Sequence, residues 1–443
     1  MTDDNIFGGL KALYHTFGCK LNFSESSTLA RELGAMGVRR VSGAETPDLV
    51  VVNTCSVTEL ADKKCRQAIK SFHRRYPDAA IIVTGCYAQL KSDEVASLPG
   101  VAIVAGAEAK MDIPAFLTRY LDEKKQQTSV TPWRDVTSFR PSCSRGDRTR
   151  FFLKVQDGCD YWCTYCTIPM ARGRSRSGTI DQLTAQARAA AAEGGREIVI
   201  TGVNIGDFGK GRSDRFIDLI RELDKVEEIL RYRISSIEPD LLTDEIIDWC
   251  ASSRAFMPHF HIPLQAGSDE VLRLMHRHYD TALFAHKIER IRQAMPDAFI
   301  GVDLITGARG ETDELFARSR EFIESLDISR LHVFPYSERP GTRALELAGA
   351  VDPAVRHRRT NEMLRLSERK WEQFASRFIG STRPVLMEHP RTVGKPMAGF
   401  TDNYLRVEVG NAPASTDNTI VNVTLTGVDA ARECLTGHIA NES

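Results

Sequence analysis

The chain has no apolar run long enough to cross a bilayer. Its longest such stretches, around residues 48–52 and 79–83, are strand-length and fall far short of the ~20 residues a spanning helix needs. Its N-terminus, MTDDNIFGGLKALYH, lacks the basic segment followed by a long apolar segment that marks secretion. It also lacks an excess of either charge. With 58 basic and 59 acidic residues and a net charge of −1 there is no global field, so a nucleic-acid partner has to be held by local basic patches. The hydrophobic (42 %) and charged (26 %) fractions are those of an ordinary globular protein and exclude disorder. No second C-x2-C knuckle occurs, which leaves a closed zinc site as the lesser alternative to an iron-sulfur cluster. What remains is a cytoplasmic, globular chain of 443 residues with no membrane partner and about three domains by length.

What the chain does have is cysteine. Six of its ten Cys stand in metal-like contexts, which fits thiolate ligands in a reducing compartment better than a disulfide framework. Cys159, Cys163 and Cys166 form a C-x3-C-x2-C run in VQDGCDYWCTYCTIP. That spacing suits three corners of a four-iron four-sulfur cubane, and three ligands in place of four leave one iron open to a chelating small molecule.

The order of patterns predicts an α/β protein. Over 10–120, ALYHTF, DLVVVNT, AAIIVTG and GVAIVAG alternate with helical patterns near 24–36 and 59–75, the signature of a parallel α/β sandwich with ligand sites at strand ends. Cys19, Cys55 and Cys86 follow three successive strands. Each has a Gly, Asn or Thr nearby that lets backbone approach closely, as a bulky inorganic ligand requires. One such Cys reads as a small core residue, whereas three in register predict a second three-Cys cluster. Residues 121–149 are polar and read as a linker, with Cys143 incidental. Over 150–380, six strand candidates separated by helical segments (FFLKVQ, EIVITG, RYRISS, HFHIPL, FIGVDLITG and RLHVFP) predict a partial (β/α)6 barrel, with the Cys159 loop at its C-terminal mouth. Residues 381–443 read as a small antiparallel β-barrel. With five basic against seven acidic residues from Arg383 onward, RNA binding there would rest on individual residues such as Arg383, Arg391, Lys395 and Arg406.

The C-x3-C-x2-C run after the first barrel strand resembles the radical S-adenosylmethionine superfamily. Together with TFGCKLNFSES, VVNTCSVTELADKKCRQAI, VTGCYAQ, HIPLQAGSDEVLRLMHR and LHVFPYSERPGT, it is similar to the methylthiotransferases over nearly the whole chain, including a TRAM-like C-terminal barrel. The GCKLN form with Lys20 and Asn22 is most similar to the branch acting on threonylcarbamoyladenosine beside the tRNA anticodon. Other branches act on isopentenyladenosine or on a ribosomal protein.

The resemblance implies two 4Fe-4S clusters, an auxiliary one on Cys19, Cys55 and Cys86 and a radical one on Cys159, Cys163 and Cys166. It further implies S-adenosylmethionine as cosubstrate, a tRNA substrate, and external electron and sulfur donors. An aromatic C–H cannot be removed by a side-chain acid or base, so a radical is needed, and that chemistry belongs to the cofactor. Cys65 is excluded as a ligand, and Cys250 and Cys434 read as core. Where relatives often carry Phe-Pro, this chain has Ala308 and Arg309; an Arg facing the cleft would meet a carboxylate or phosphate, and a solvated Arg on a loop is an equal reading.

Strand-end candidates for the cosubstrate are Thr201, Gly202, Asn204, Ser235, Ser236, Glu238 and Gln265. Tyr161 and Trp162 are candidates to shield the cluster or stack on adenine. Arg172, Arg174 and Arg176 are candidate RNA contacts, and a second run, Arg356, Arg358 and Arg359, reads equally as a solvated helix face. An iron-sulfur electron carrier without its own substrate is the third reading. It leaves two three-Cys sites unexplained, since a carrier is better served by four fixed ligands.

Overall fold

The computed structural model describes residues 6–146, 149–389, 396–410 and 412–440. Its first unit is a six-stranded parallel sheet. β1 (Lys11–Thr16), β2 (Leu49–Thr54) and β3 (Ala80–Gly85) are neighbours in its middle, flanked by Arg39–Arg40 on one edge and by Val101–Ala105 and then Gln127–Ser129 on the other. β2, LVVVNT, is buried throughout. A continuous β-branched run of this kind is the pattern of a parallel strand covered on both faces, and separate apolar clusters fill the two sides. The helix Glu59–Arg75 starts at Thr58, whose hydroxyl accepts from the Ala61 amide. It carries Glu59 and Asp62 in its first turn and His73, Arg74 and Arg75 in its last, in the sense that the helix dipole favours.

The second unit contains β4 (Arg150–Lys154), β5 (Glu197–Thr201), β6 (Arg231–Ile234), β7 (His259–Gln265), β8 (Phe299–Thr306) and β9 (Arg330–Pro335). They run parallel and in chain order, and single bridges at Tyr232–Phe256 and Ser236–His261 join two sheets into one curved wall. The expected six-unit, incomplete barrel is what forms. Alternate residues such as Ile198, Ile200, Ile262, Leu264, Val302 and Leu304 pack outward under the helices. By the period-two rule, Lys154, Arg233, His261, Asp303 and His332 then face the lumen. The helix Lys20–Ala35 of the first unit lies against β4, with Phe23 edge-on to Phe152 at 5.7 Å.

The third unit is a closed five-stranded barrel. Four of its seams are antiparallel, as expected, and the fifth, between Arg406–Val409 and Cys434–Ile439, is parallel. Its core continues into Phe299, Trp371 and Phe374 of the central unit. Among the described residues no helix is long and apolar enough to cross a membrane.

The segment 121–149 departs from the linker reading. Gln127–Ser129 is an edge strand of the first sheet, and Ser142–Cys143 pairs antiparallel with β4. Cys143 is buried, its amide donating to Thr28 Oγ1 (3.2 Å) and its carbonyl accepting from Arg31 (2.9 Å). Short strands of Gln, Thr and Ser carry no apolar period, so backbone pairing here leaves no trace in composition.

Candidate functional site

Backbone geometry delivers Cys19, Cys55 and Cys86 together. Cys19 is the N-cap of the helix Lys20–Ala35, and Cys86 opens a short helix after Gly85. Gly18 has φ +94°, and a Cβ there would stand 2.9 Å from Cys55 Cβ and 3.1 Å from its sulfur. At Gly85 (φ +98°) a Cβ would meet the Thr54 carbonyl at 2.3 Å. Only glycine admits both the left-handed backbone and this closeness. Asn22 and Asn53 complete the frame. Asn22 Nδ2 donates to the carbonyls of Phe17 (2.9 Å) and Thr54 (3.0 Å), and Asn53 Nδ2 donates to the Asn22 carbonyl (2.9 Å).

The second trio lies on the loop after β4. Cys159 donates its amide to the Gly173 carbonyl (3.1 Å), and Cys166 donates to that of Cys163 (3.1 Å). The loop is pinned from outside by Thr164, whose hydroxyl donates to the Leu274 carbonyl (2.8 Å). Gly158 (φ +71°) is required because a Cβ there would fall 2.0 Å from the Arg174 carbonyl. Arg277 donates to Cys163 Sγ at 3.0 Å and pairs with Glu238. Burial lifts the Glu238 carboxyl to about 7 even with Arg277 beside it. Tyr161 is buried, donates to Asp240 (2.6 Å) and stacks on His278 at 4.1 Å; Trp162 (φ +52°) meets Trp133 edge-on at 4.8 Å.

The two trios face one another. Thr167, next to Cys166, donates to the carbonyl of Ser56, next to Cys55, at 3.4 Å. Arg339 donates to Ser56 Oγ and Asp62 Oδ2, each at 2.8 Å, tying the Cys55 loop to the segment after β9. Deeper in, Glu25 of the first unit pairs with Lys110, Lys154 (2.8 Å) and Arg172 (3.1 Å), while Asp157 pairs with Lys154 (2.6 Å) and Arg172 (2.9 Å). Burial would raise both carboxyls, and these cations overcome it and hold both below the usual range. A cavity of about 280 Å³ is lined by Val57 and Thr58 after Cys55, by Tyr165 beside Cys166, and by Gln265, Asp303 and Phe334 among others.

The thiols fit an iron-sulfur group. Burial pushes Cys55 and Cys166 up to about 12 and raises Cys86, Cys159 and Cys163 as well, with neighbouring sulfurs adding to the shift at Cys55, Cys159 and Cys166. Buried thiols of this kind keep their protons unless a metal takes their place. Among the described residues, no three His, Cys, Asp or Glu side chains close around one point tightly enough to hold a single ion. A cubane takes each thiolate through a different iron, and so suits a wider set.

The strand-end candidates separate. Asn204 is buried, with Nδ2 and Oδ1 both lacking a partner, and its amide donates to Gln156 Oε1 at 2.8 Å. Gln265 (φ +67°) sits at a bulge and lines the cavity. Glu238 reaches the Cys loop through Arg277. Thr201 and Ser235 are buried at their strand ends, Ser236 bridges to His261, and a Cβ at Gly202 would press on Gln156 and Ile205.

Several arginine expectations need correction. Arg172 is buried in the Glu25 network, and Arg176 is spent on Asp157 and on the carbonyls of Ser138 and Arg172, so of that run only Arg174 is exposed. Arg359 is buried against Glu311, Arg356 donates to Glu338 and the Tyr336 carbonyl, and Arg358 remains exposed. Arg309 does not face the cleft: it binds the carbonyls of Leu345 and Leu347 and pairs with Glu338. Ala308 packs in a satellite core. Arg383 pairs with Asp402 and Asp297, Arg406 with Glu408, and Arg391 and Lys395 lie outside the described residues. Cys65, Cys250 and Cys434 are buried. Sequence reasoning missed Arg277, Arg339, Glu25 and Tyr165, which stand at no ligand spacing.

Residues 11–106 match the uncharacterized protein family UPF0004, and residues 153–323 match the radical SAM superfamily. The threonylcarbamoyladenosine tRNA methylthiotransferase MtaB of Bacillus subtilis is 37% identical over 407 residues, 89% of each chain. The MtaB of Thermotoga maritima is 37% identical over 398 residues, 89% of this chain and 91% of that one. A tRNA-2-methylthio-N(6)-dimethylallyladenosine synthase of Thermobifida fusca is 33% identical, covering 84% of this chain and 76% of its own. Among solved structures, the radical S-adenosylmethionine methyltransferase TsrM of Kitasatospora setae shares the fold at a TM-score of 0.56 and 15% identity, over 75% of this chain and 76% of that one. With two facing cysteine trios on this fold and relatives of this identity along most of its length, the chain belongs to the radical SAM methylthiotransferase family, that of the MtaB proteins.

Proposed function

We propose that this protein converts N6-threonylcarbamoyladenosine beside the tRNA anticodon to its 2-methylthio derivative, replacing an adenine C–H by C–S–CH3. The observation that supports this most directly is a cavity bordered by Val57 and Thr58 of the loop after Cys55 and by Tyr165 of the Cys159 loop, so that one space meets both cysteine-bearing loops. In this reading Cys159, Cys163 and Cys166 would hold a 4Fe-4S cluster with one open iron, and Cys19, Cys55 and Cys86 a second. When bound, these groups supply the reducing electron that turns S-adenosylmethionine into a hydrogen-abstracting radical, and a seat for the sulfur to be transferred.

The chain's own residues do the positioning. Arg277 donates to Cys163 and keeps a positive charge beside a thiolate-rich loop, which eases the burial of negative charge. Asn204 brings an unpartnered amide, and Gln265 a polar side chain, to the strand ends where a polar cosubstrate would sit. Tyr165 and Phe334, the latter 48% exposed, present aromatic faces on which an unstacked base can lie. Val57, Ile305 and Pro335 add apolar surface beside the polar Thr58, Asp303 and Ser337. The electron donor and the sulfur source come from outside the chain.

The test is nucleoside mass spectrometry of tRNA from cells lacking the gene, with and without complementation. The expected result is loss of the methylthio group from threonylcarbamoyladenosine, restored by the intact gene and not by a Cys159→Ala copy. An unchanged nucleoside profile in cells without a redundant enzyme refutes the reading.

A further inference from the structure

A second cavity of about 350 Å³ opens in the barrel lumen below the first and takes no part in the chemistry above. Lys20, His259, His261, Gly301, Arg330 and His332 line it, with Tyr404 and Arg406 of the C-terminal barrel closing the floor. The two cavities are stacked along one strand. Asp303 borders the upper and Gly301 the lower, two residues apart on the same face and therefore about 7 Å apart. His261 Nε2 joins them by its 2.7 Å bond to Asp303 Oδ1.

The lining of the lower cavity holds more cations than carboxylates, Lys20, Arg330, Arg406 and Arg432 against Glu433. Arg330 is met by Glu433 (2.6 Å), and Arg406 and Arg432 share Glu408 (2.8 and 2.5 Å). Lys20 makes no ion pair among the described residues, although it lines the cavity. Arg330 Nε and His259 Nδ1 are buried without a hydrogen-bond partner. Burial, with His261, Arg330 and Lys20 nearby, keeps the His332 imidazole down at about 4, so at neutral pH it is an uncharged ring that stacks on His261 at 4.9 Å. Lys20 acts on the Asp303 carboxyl above and helps to hold it below its usual range, but it pairs directly with no carboxylate among the described residues, and a small anion suits both it and the buried, unpartnered Arg330 Nε–H.

We propose that this cavity seats the carboxylate at the end of the N6 side chain of the substrate adenine, with Lys20 as its counter-charge, an inference that rests on the substrate reading above. A base in the upper cavity has its N6 substituent within a few bonds of the lower one. A terminal carboxylate on a flexible chain can enter such a recess. A phosphodiester is held at both ends by ribose, and the groove next door, where Arg365 and Arg369 stand among Glu368, Glu372 and Glu433, offers it no net positive charge. Lys20 and Gly301 thereby become specificity-determining residues.

The experiment measures binding of anticodon stem-loop RNA to the iron-loaded holoenzyme. Two RNAs are compared, one with threonylcarbamoyladenosine and one with the same side chain ending in a carboxamide. Wild type is expected to prefer the carboxylate by about tenfold or more, the effect of one charge-assisted hydrogen bond. Lys20→Met is expected to erase that preference while binding the carboxamide RNA as wild type does. Because Lys20 adjoins Cys19, a second variant stands apart from the cysteines. A Cβ at Gly301 stands in ordinary contact with Phe299 at 3.5 Å and His332 at 3.6 Å, so Gly301→Val narrows the cavity and should weaken the preference with iron content unchanged.

Equal weakening of both RNAs by Lys20→Met identifies a phosphate contact and overturns the proposal, as does a preference that survives in both variants. If wild type methylthiolates the threonylcarbamoyl RNA but shows no preference for its carboxylate, the proposal alone falls. If wild type neither prefers nor modifies that RNA, the substrate reading itself is refuted.

Discussion

Arg339 provides a direct test of whether the alignment of the two cysteine trios is built into the protein. It is 3% exposed, and its Nη2 holds both Ser56 Oγ and Asp62 Oδ2 at 2.8 Å. Asp62 is fully buried, and its other cation, Lys91, stands 3.4 Å away with a side chain 32% exposed. Arg339→Met keeps most of the apolar stem and removes the charged head. Stripping one partner from a buried pair costs about 3–5 kcal/mol. Ser56 still donates to Asp62 Oδ1 (2.6 Å) and Lys91 stays in reach, so a value near the lower end, about 3 kcal/mol, is expected. Nearly all of it falls on the seam between the Cys55 loop and the barrel, and it amounts to a factor of roughly 100 in the docked population of that seam.

Two assays on the purified, iron-loaded variant separate the consequences. Reductive cleavage of S-adenosylmethionine needs only the barrel trio and should stay within about twofold of wild type, whereas methylthiolation of RNA needs both trios in register and should fall tenfold or more. Asp62→Asn added to Arg339→Met should return part of the lost stability, because no unpaired charge then remains buried, without restoring thiolation. The reasoning fails if thiolation survives the loss of Arg339, or if cleavage falls in parallel while the iron at Cys159, Cys163 and Cys166 is retained.

Cys19→Ala is expected to abolish thiolation and spare reductive cleavage, whereas Cys159→Ala abolishes both; equal loss of cleavage in the two folded variants contradicts the division of labour. Gly158→Ala would put a Cβ 2.0 Å from the Arg174 carbonyl, so iron bound per chain should drop by half, read by iron analysis, and full iron loading would refute the role of that backbone. Glu25→Gln leaves Lys110, Lys154 and Arg172 with one buried carboxylate fewer, and is expected to cost about 3–5 kcal/mol near neutral pH by denaturant unfolding. Burial raises the Glu25 carboxyl, but Arg172, Lys110 and Lys154 hold it well below its ordinary 4.5. The unfolded chain therefore takes up that proton first, so the contribution is complete above about pH 4.5 and is lost as pH falls toward the folded value. The stability gap between wild type and Glu25→Gln should accordingly narrow below pH 4.5, and a gap independent of pH would show that the carboxylate is not what the cations need.

The legible parts of this protein are those where one residue type answers one local demand. The β-branched run of β2, the glycines before Cys19, Cys86 and Cys159, and the C-x3-C-x2-C spacing each report a constraint satisfied within a few residues of chain. The strand order of the barrel and its incompleteness follow from counting such local units. What stayed hidden is pairing across the fold. Arg172 and Arg176 read as a basic RNA patch because nothing in GRSRS signals that Glu25, some 150 positions earlier, will be waiting with Asp157 in the interior. Arg309 reads as cleft-facing for the same reason, since the Leu345 and Leu347 carbonyls that take its guanidinium belong to a distant loop. Charge alone does not distinguish a ligand-binding arginine from one that fastens two domains, and in this protein buried arginines do the fastening on both sides of the space between the trios. The Glu25 network and the Arg339 clamp each tie the first unit to the barrel. The first unit is thereby held against the barrel near its cysteine-bearing loops, and the reaction proposed above, which brings both trios to one adenine, would depend on that fixity.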